Sequence, residues 1–172
     1  MARAFYLYMY AHPGKKLNFM GNELGQMREW DEKREQDWDI LRYPNHDGFC
    51  RFMKDLNQLY LKNPALWQMD YELEGFQWLD CHQEARCIYA FERRSKKQRV
   101  AAVFNFSGVV QRDYEWKVSG AKKLTLLMDT DRDIYGGHTQ GLDHDAVEWV
   151  EGSRDVVTVT LPPFSGRCYI VE

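Results

Sequence analysis

The chain has 172 residues, a formal net charge of −3 and a hydrophobic content of 44%. This length suits one ordinary domain, or one domain with a piece of a neighbour. No apolar run approaches the roughly 18 residues of a membrane span, and no basic block indicates a nucleic-acid surface. The N-terminus also lacks the pattern of a secretion signal, so we expect a soluble cytoplasmic protein with neither a membrane nor a nucleic-acid partner.

The four cysteines are predicted to be reduced thiols. Cys50, Cys81, Cys87 and Cys168 show no C-x-x-C spacing and have no histidine at a ligand spacing. This pattern disfavours both a disulfide framework and a zinc site. Cys87 and Cys168 lie in predicted strands, where we expect them in the core, and the sequence predicts neither a metal nor a cofactor.

The first elements are a buried helix, a short strand and a long loop. Residues 2–11 are apolar and aromatic almost all round, which predicts a buried helix that Pro13-Gly14 ends. Leu17–Met20 is a short apolar run that we expect to form a buried strand. A polar loop follows over residues 21–45, and loops longer than about 12–15 residues are uncommon unless they are functional.

The next element is an amphipathic helix. Its apolar residues recur at positions i, i+3, i+4 and i+7, and they are Phe49, Phe52, Met53, Leu56, Leu59 and Tyr60. Asn45-His46-Asp47 is predicted to supply a cap and an acidic first turn, and Asn63-Pro64 is predicted to end the helix.

After residue 70 the hydrophobic period changes from 3.6 to 2, which indicates strands. Six short strands are predicted, at 87–92, 99–104, 114–118, 124–128, 156–161 and 167–171. Strands at this spacing, separated by Gly, Ser and Pro turns, are typical of an antiparallel sandwich. The chain is therefore mainly β, with a domain boundary near residue 70.

Five carboxylates fall on the long loop, at Glu23, Glu29, Asp31, Asp37 and Asp39. Glycoside chemistry with retention needs two carboxyls about 5–5.5 Å apart, and barrel enzymes draw such groups from the ends of several strands. A complete catalytic pair on one loop is therefore not expected. Instead Glu23 and Glu29 are predicted to pair with Arg28, Lys33 or Arg34 and hold the loop.

Two tryptophans of the loop allow two interpretations. Trp30 and Trp38 stand beside acidic and amide residues, which suits a loop that contacts a sugar. Alternatively, both rings are buried beneath the loop and hold it in place. The sequence leaves these alternatives open.

Residues 129–133 carry aspartates at the spacing of a calcium-binding loop, but the pattern fails. Ile134 stands where the tight turn of an EF-hand needs glycine, and Gln140 stands where the bidentate glutamate belongs. We therefore predict an acidic turn after a strand. Asn105-Phe106-Ser107 matches a glycosylation sequon, which we interpret as incidental.

One stretch carries a family resemblance. His12 to Leu17, Phe19 to Glu23, Gln26, Arg28-Glu29-Trp30 and Asp37-Trp38 closely resemble the last barrel strand and following loop of 1,4-α-glucan (glycogen) branching enzymes of the α-amylase clan. Later landmarks of that family match Gly75–Leu79, Asn105-Phe106, Tyr135-Gly136-Gly137 and Leu161-Pro162-Pro163. The resemblance extends over essentially the whole chain.

The resemblance implies an architecture and an activity. Residues 1–70 would be the end of a truncated (β/α)8 barrel (the tail of helix seven, strand eight and helix eight), and residues 71–172 an antiparallel β-sandwich C-terminal domain. Enzymes of this family cleave an α-1,4-glucan, hold it covalently and transfer it to a 6-hydroxyl, without a cofactor. Their catalytic carboxylates follow strands four, five and seven and would precede residue 1, so no residue here is expected to be catalytic. The chain is accordingly expected to be a C-terminal fragment that is inactive alone.

The loop after strand eight borders the active-site cleft in that family, which makes Glu23, Trp30 and Trp38 candidate contacts to glycogen or amylose. The alternatives are a non-catalytic glucan-binding or structural β-sandwich module, or a different transferase or hydrolase of the clan. We also expect self-association through the truncated barrel part.

Overall fold

The computed structural model describes residues 1–137, the backbone of 148–149, and 155–172. Gln140, which the calcium-loop argument used, lies outside these residues. In the described part the helices are α1 (Ala2–Ala11) and α2 (Pro44–Lys62). The strands are β1 (Phe76–Gln83), β2 (Ile88–Arg94), β3 (Arg99–Asn105), β4 (Gln111–Lys117), β5 (Lys123–Asp129), β6 (Glu148–Trp149), β7 (Val156–Leu161) and β8 (Ser165–Val171).

Both helices form where the sequence predicts them, but α1 is only partly buried, with Phe5 61% exposed, and the cap of α2 differs. Helix α1 ends at Ala11, because His12 is extended ahead of Pro13. Helix α2 starts one residue before the predicted cap, with Pro44 at its first position and Tyr43 as its N-cap. The predicted cap at residues 45–47 is therefore wrong, since these residues lie inside the first turn, whereas the predicted acidic first turn is confirmed by Asp47. The end of α2 at Asn63 is as predicted.

The predicted strand at residues 17–20 is absent. Leu17–Met20 forms neither helix nor strand, and Leu17 is 82% exposed. A strand is stabilised by hydrogen bonds to a neighbour, and none of the strands in the described ranges pairs with this segment.

The predicted antiparallel sandwich is confirmed. Six strands form one sheet in the order β1-β2-β3-β8-β5-β6, and β4 and β7 form a second, two-stranded sheet. Every pairing is antiparallel. The structure adds β1, an edge strand with two register shifts, which the alternation of residues did not reveal.

The six-stranded sheet is the middle of three layers. One face packs against α1 and α2, where Leu7, Phe52 and Phe91 belong to one buried cluster. The other face packs against β4 and β7, where Val103 and Trp116 belong to a second cluster. The helices of the first 70 residues thus share a core with the sheet, and the domain boundary near residue 70 stays a prediction.

The acidic turn after β5 lies between the sheet and both helices. The buried side chains of Asp129 and Arg167 pair at 2.7 Å. Arg3 of α1 donates to the carbonyl oxygens of Thr130 at 2.6 Å and Tyr135 at 2.9 Å, and the Tyr135 hydroxyl donates to Asp55 of α2 at 2.8 Å. The segment therefore fastens the β domain to the helices.

The cysteines are all free thiols. Cys168 is fully buried in β8, as predicted, and its burial raises its pKa to about 12. Cys87 is only half-buried and lies in a left-handed turn between β1 and β2, so its predicted place in a strand is wrong.

The glycosylation sequon lies in the core. The side-chain nitrogen of Asn105, which is fully buried, donates to the carbonyl oxygens of Val109 and Pro162, each at 2.8 Å. The folded protein therefore leaves this amide inaccessible for glycosylation.

In the described part, neither helix is long and apolar enough to cross a membrane.

Candidate functional site

The long loop is anchored at its start by a tight turn against α2. Gly21 (φ 91°) and Gly25 (φ 63°) flank the single turn Asn22–Leu24, and both adopt the left-handed conformation that glycine tolerates best. Leu24 is fully buried, and its carbonyl accepts a hydrogen bond from the His46 ring at 2.9 Å. The loop therefore starts from a fixed point on the helix.

Glu23 stabilises this turn. Its carboxylate accepts a hydrogen bond from the Gly21 amide at 3.0 Å. The predicted pairing of Glu23 and Glu29 with basic residues of the loop is not found among the ion pairs of the described residues, since Arg28 binds Asp37 instead. The predicted pairing is therefore wrong, although Arg28, one of the three basic residues named, does bind a carboxylate of the loop.

Three side chains close the loop on itself, and we call Gln26, Arg28 and Asp37 the loop neck. The Arg28 guanidinium donates to the Asp37 carboxylate at 3.0 and 3.3 Å, and to the carbonyls of Glu29 at 3.2 Å and Glu35 at 2.9 Å. Gln26 accepts from the Asp37 amide at 3.1 Å and donates to the Arg28 carbonyl at 3.0 Å. Residues 28–37 consequently form a closed loop of the Ω type.

The charges of the neck reinforce each other. Hydrogen bonding from Arg28 holds the pKa of Asp37 below its ordinary value, and Asp37 raises the pKa of Arg28. Both side chains are therefore ionised at neutral pH, where charge-assisted bonds of this kind are strongest.

Both tryptophans of the loop are exposed, which rules out the interpretation that they are buried beneath it. Trp30 is 42% exposed and Trp38 is 51% exposed. The ring of Trp30 lies edge-to-face with Phe19, with centroids 5.8 Å apart. Each tryptophan thus presents apolar ring surface to solvent.

A cavity of about 390 Å³ opens beside Trp30 inside the closed loop. Its lining residues are Arg28, Glu29, Trp30, Asp31, Glu32 and Arg34. The cavity is open and mostly polar, with carboxylate acceptors and guanidinium donors in its lining and the Trp30 ring at its border. Trp38 and Glu23 do not line it, so the structure separates the three residues that the sequence grouped together.

Sequence reasoning missed how the residues of the neck pair with one another. Gln26, Arg28 and Asp37 all belong to the motifs that carry the family resemblance, yet their spacing of two and nine residues fits no helix or strand pattern. Only the folded loop brings them together. Within the described ranges, no group of three or more His, Cys, Asp or Glu side chains is placed to hold a metal ion.

Comparison with known proteins bears on both halves of the chain. Residues 78–172 match the model of the family described as alpha amylase, C-terminal all-beta domain. The 1,4-alpha-glucan branching enzyme GlgB of Aquifex aeolicus is 40% identical over 169 residues, which cover 95% of this chain and 27% of that protein. GlgB 1 of Rhizobium etli is 39% identical over 165 residues, covering 95% of this chain and 22% of that protein. The GlgB of Shewanella frigidimarina is 37% identical over 176 residues, covering 99% of this chain and 24% of that protein.

The chain therefore spans about a quarter of the length of the curated relatives it matches. The matched family region begins within β1 and includes every later strand, so the family model and the observed sheets agree on the same all-β unit. The chain belongs to the family of the α-amylase C-terminal all-β domain.

Proposed function

We propose that this chain serves as the C-terminal part of a 1,4-α-glucan branching enzyme, a glycosyltransferase that makes α-1,6 branches in glycogen in the cytoplasm. The observation that carries the proposal is the identity of 37–40% to proteins of that name along 95–99% of the chain. Four free cysteines are consistent with a reducing compartment.

In this proposal the chain supplies no catalytic carboxylate. Barrel enzymes draw their catalytic groups from the ends of several strands, whereas the carboxylates near Trp30 all belong to one closed loop. The chain's task is to support the reaction of the larger enzyme and to contact its glucan, and the transfer needs no cofactor.

Residues 1–70 would complete the barrel of that enzyme. Helix α1 corresponds to the tail of helix seven, residues 17–20 to strand eight and α2 to helix eight. Support comes from the exposed apolar side chains of Leu17, Phe19 and Met20, since a segment with this composition is stabilised by burial between neighbouring strands.

The loop after this segment would contact the α-1,4-glucan. Trp30 and Trp38 present exposed rings on which the apolar face of a glucosyl unit can stack. Glu23 acts mainly by holding the turn through its bond to Gly21. Of the three candidate contacts, the two tryptophans therefore have the more direct role.

A chimera tests the proposal. We expect that replacing the matching 169 residues of the Aquifex aeolicus enzyme with this chain gives a protein that branches amylose, measured as loss of the long-wavelength iodine absorbance. The isolated chain should leave that absorbance unchanged. A soluble, folded chimera without branching activity would contradict the proposal, and activity of the isolated chain would contradict its non-catalytic role.

A titration with maltoheptaose addresses the glucan contact separately. Tryptophan fluorescence of the isolated chain should change on titration, and it should change less in the Trp30→Ala and Trp38→Ala variants. Trp67→Ala is the matched control, because Trp67 is similarly exposed at 41% but lies after α2, outside the loop. A response lost equally in all three variants would argue against a contact at the loop.

A further inference from the structure

The closed loop of residues 28–37 combines a rigid frame with an exposed aromatic ring. We propose that its cavity is a subsite for one glucosyl unit of an α-glucan, and that Arg28 is the positioning residue that holds Trp30 at the edge of this subsite. The inference rests on the proposed function and deepens it, because it assigns the contact to a particular cavity and a particular device.

The first step of the argument is the reach of Arg28. Its guanidinium bonds to the carbonyl of Glu29, the carbonyl of Glu35 and the carboxylate of Asp37, which lie at the two ends of the closed loop. One planar group with several fixed donors can satisfy all of these acceptors at once, whereas a lysine ammonium is a point charge on a flexible stem. Arg28 therefore fixes the separation of the two ends.

The second step is the position of Trp30 relative to this frame. Trp30 lies two residues after Arg28 and one residue after a carbonyl that Arg28 binds. On its other side the ring contacts only the edge of Phe19 among the ring contacts of the described residues. The backbone of the neck, rather than burial in a core, thus decides where the exposed ring points.

The third step is the chemistry of the cavity. Its volume of about 390 Å³ lies within the range of roughly 300–1,000 Å³ found for small-molecule sites. The lining is mostly polar: Glu29 and Glu32 offer acceptors for sugar hydroxyls and Arg34 offers donors, while Trp30 borders the cavity as its one aromatic residue. Asp31 also lines the cavity, where its carboxylate accepts the Lys33 amide at 2.9 Å, so its orientation is set before a ligand arrives.

The fourth step is energetic. Exposing a large ring forgoes the stabilisation that its burial would provide. The neck makes at least five hydrogen bonds in a loop that leaves Trp30 42% exposed. Such an arrangement is useful when a ligand covers the ring, because an ordered loop avoids the entropy cost of ordering on binding. The neck is therefore a device for pre-organisation.

Arg28→Gln tests the proposal, with Arg51→Gln as the charge-matched control. Arg51 makes a single exposed ion pair with Asp47 on α2, away from the cavity. Two quantities are measured on the full chain: amide hydrogen exchange of residues 28–37, and the dissociation constant for maltoheptaose by calorimetry. We expect Arg28→Gln to speed exchange in this loop and to weaken maltoheptaose about tenfold, while exchange in α2 and β2 stays unchanged.

Conservative and ring-removing variants sharpen the test. Arg28→Lys keeps the positive charge but not the planar, fixed donors of the guanidinium. It should therefore recover less than half of the affinity that is lost in Arg28→Gln. Trp30→Ala should weaken maltoheptaose at least as much as Arg28→Gln while leaving exchange in the loop close to that of the unaltered chain. Faster exchange together with weaker binding in Arg28→Gln indicates positioning, whereas weaker binding alone in Trp30→Ala indicates direct contact. If Arg28 only stabilised the loop, Arg28→Gln would change exchange but not affinity.

Each contrary result has a definite meaning. Unchanged exchange in Arg28→Gln would overturn the role of the neck, and faster exchange with unchanged affinity would overturn the subsite. No maltoheptaose binding by the unaltered chain would overturn the subsite as well. The branching chimera reports on the proposed function independently, so an active chimera beside a negative result here would reject only this inference.

Discussion

Lys16 lies in an environment that differs from that of a surface lysine. It is half-buried, its ammonium bonds to the His12 carbonyl, and it lies 5.5 Å from the centroid of the Tyr60 ring. Its pKa is lowered to about 8, mainly by burial. The attraction of Asp70 raises this pKa in part, and the repulsion of Arg93 lowers it. The protonated amine is thus disfavoured in the folded state.

This shift predicts a pH dependence of stability. The folded pKa of Lys16 lies near 8 and the unfolded value near 10.5, so between these values the unfolded state binds more protons. The free energy of unfolding should therefore rise with pH across this window. Below the window, burial of the protonated Lys16 amine destabilises the folded state by its full amount. Lys16→Met removes the titrating amine, so its stability relative to the unaltered chain should be more favourable near neutral pH than at about pH 10.

Urea denaturation of both chains at the two pH values measures this difference. Lys15→Met is the control, because Lys15 is exposed next to Lys16. A change in relative stability with pH that is the same for both variants would contradict the assignment to Lys16.

The residue scale also shows why the loop was only partly predictable. The sequence named Arg28 among the residues that pair within the loop, but it gave Glu23 and Glu29 as the partners where the structure uses Asp37. Neighbouring charges are visible in a sequence, whereas a contact across nine residues depends on the path of an irregular backbone. The exposure of Trp30 and Trp38 was left open for the same reason.

At the scale of elements, the close contact between α2 and the acidic turn depends on Gly48. A Cβ at this position would lie 2.9 Å from the carbonyl carbon of Tyr135 and 3.1 Å from the amide nitrogen of Gly136. Both are backbone atoms, which cannot move aside as a flexible side chain would. The absence of a side chain at Gly48 lets α2 approach the backbone of this turn, whose Tyr135 hydroxyl also donates to Asp55 of the helix.

Gly48→Ala should therefore destabilise the protein, although replacing glycine with alanine inside a helix usually stabilises it. Glycine in a helix interior normally costs about 0.5–1 kcal/mol relative to alanine, but here overpacking should cost about 1–3 kcal/mol. Thermal unfolding of Gly48→Ala measures the net effect, and Lys54→Ala at an exposed position of α2 provides the reference. A higher melting temperature in Gly48→Ala would show that the turn is not tightly docked.

The elements themselves were predicted where their signal is local. The amphipathic period of α2 and the alternation in β2, β3 and β8 are properties of each segment, and the structure confirms them. Strand β1 was missed because its residues are mostly half-buried and its pairing has two register shifts. The strand at 17–20 was wrongly predicted, since apolar composition alone does not provide the neighbouring strand that pairing requires.

At the scale of the whole molecule, Arg93 joins the helical part to the β domain. It is fully buried in β2 and donates to the Ala11 carbonyl at the end of α1, at 2.6 Å, and to the Gly75 carbonyl at 3.2 Å. It also pairs with Asp70. The buried Arg93 side chain of β2 thus bonds to the end of α1 and to the segment between α2 and β1. These bonds couple the two parts that were predicted as separate domains.

The apolar side chains next to the loop have a consequence for the whole molecule. Leu17 is 82% exposed, Met27 is 94% exposed, and Phe19 and Met20 are about half exposed. Clustered exposed apolar surface favours association when no other chain segment covers it. We therefore expect the isolated chain to self-associate through residues 17–27, with the β domain remaining folded.

Sedimentation velocity over a dilution series measures this association. The double variant Leu17→Ser, Phe19→Ser should shift the weight-average mass toward the monomer, because it removes apolar surface without touching a buried residue. Leu61→Ser, Leu73→Ser is the matched control, since these side chains are 65% and 92% exposed elsewhere on the molecule. If the unaltered chain is monomeric at every concentration, or if the control variant dissociates it equally well, residues 17–27 are not the surface through which copies of this chain meet.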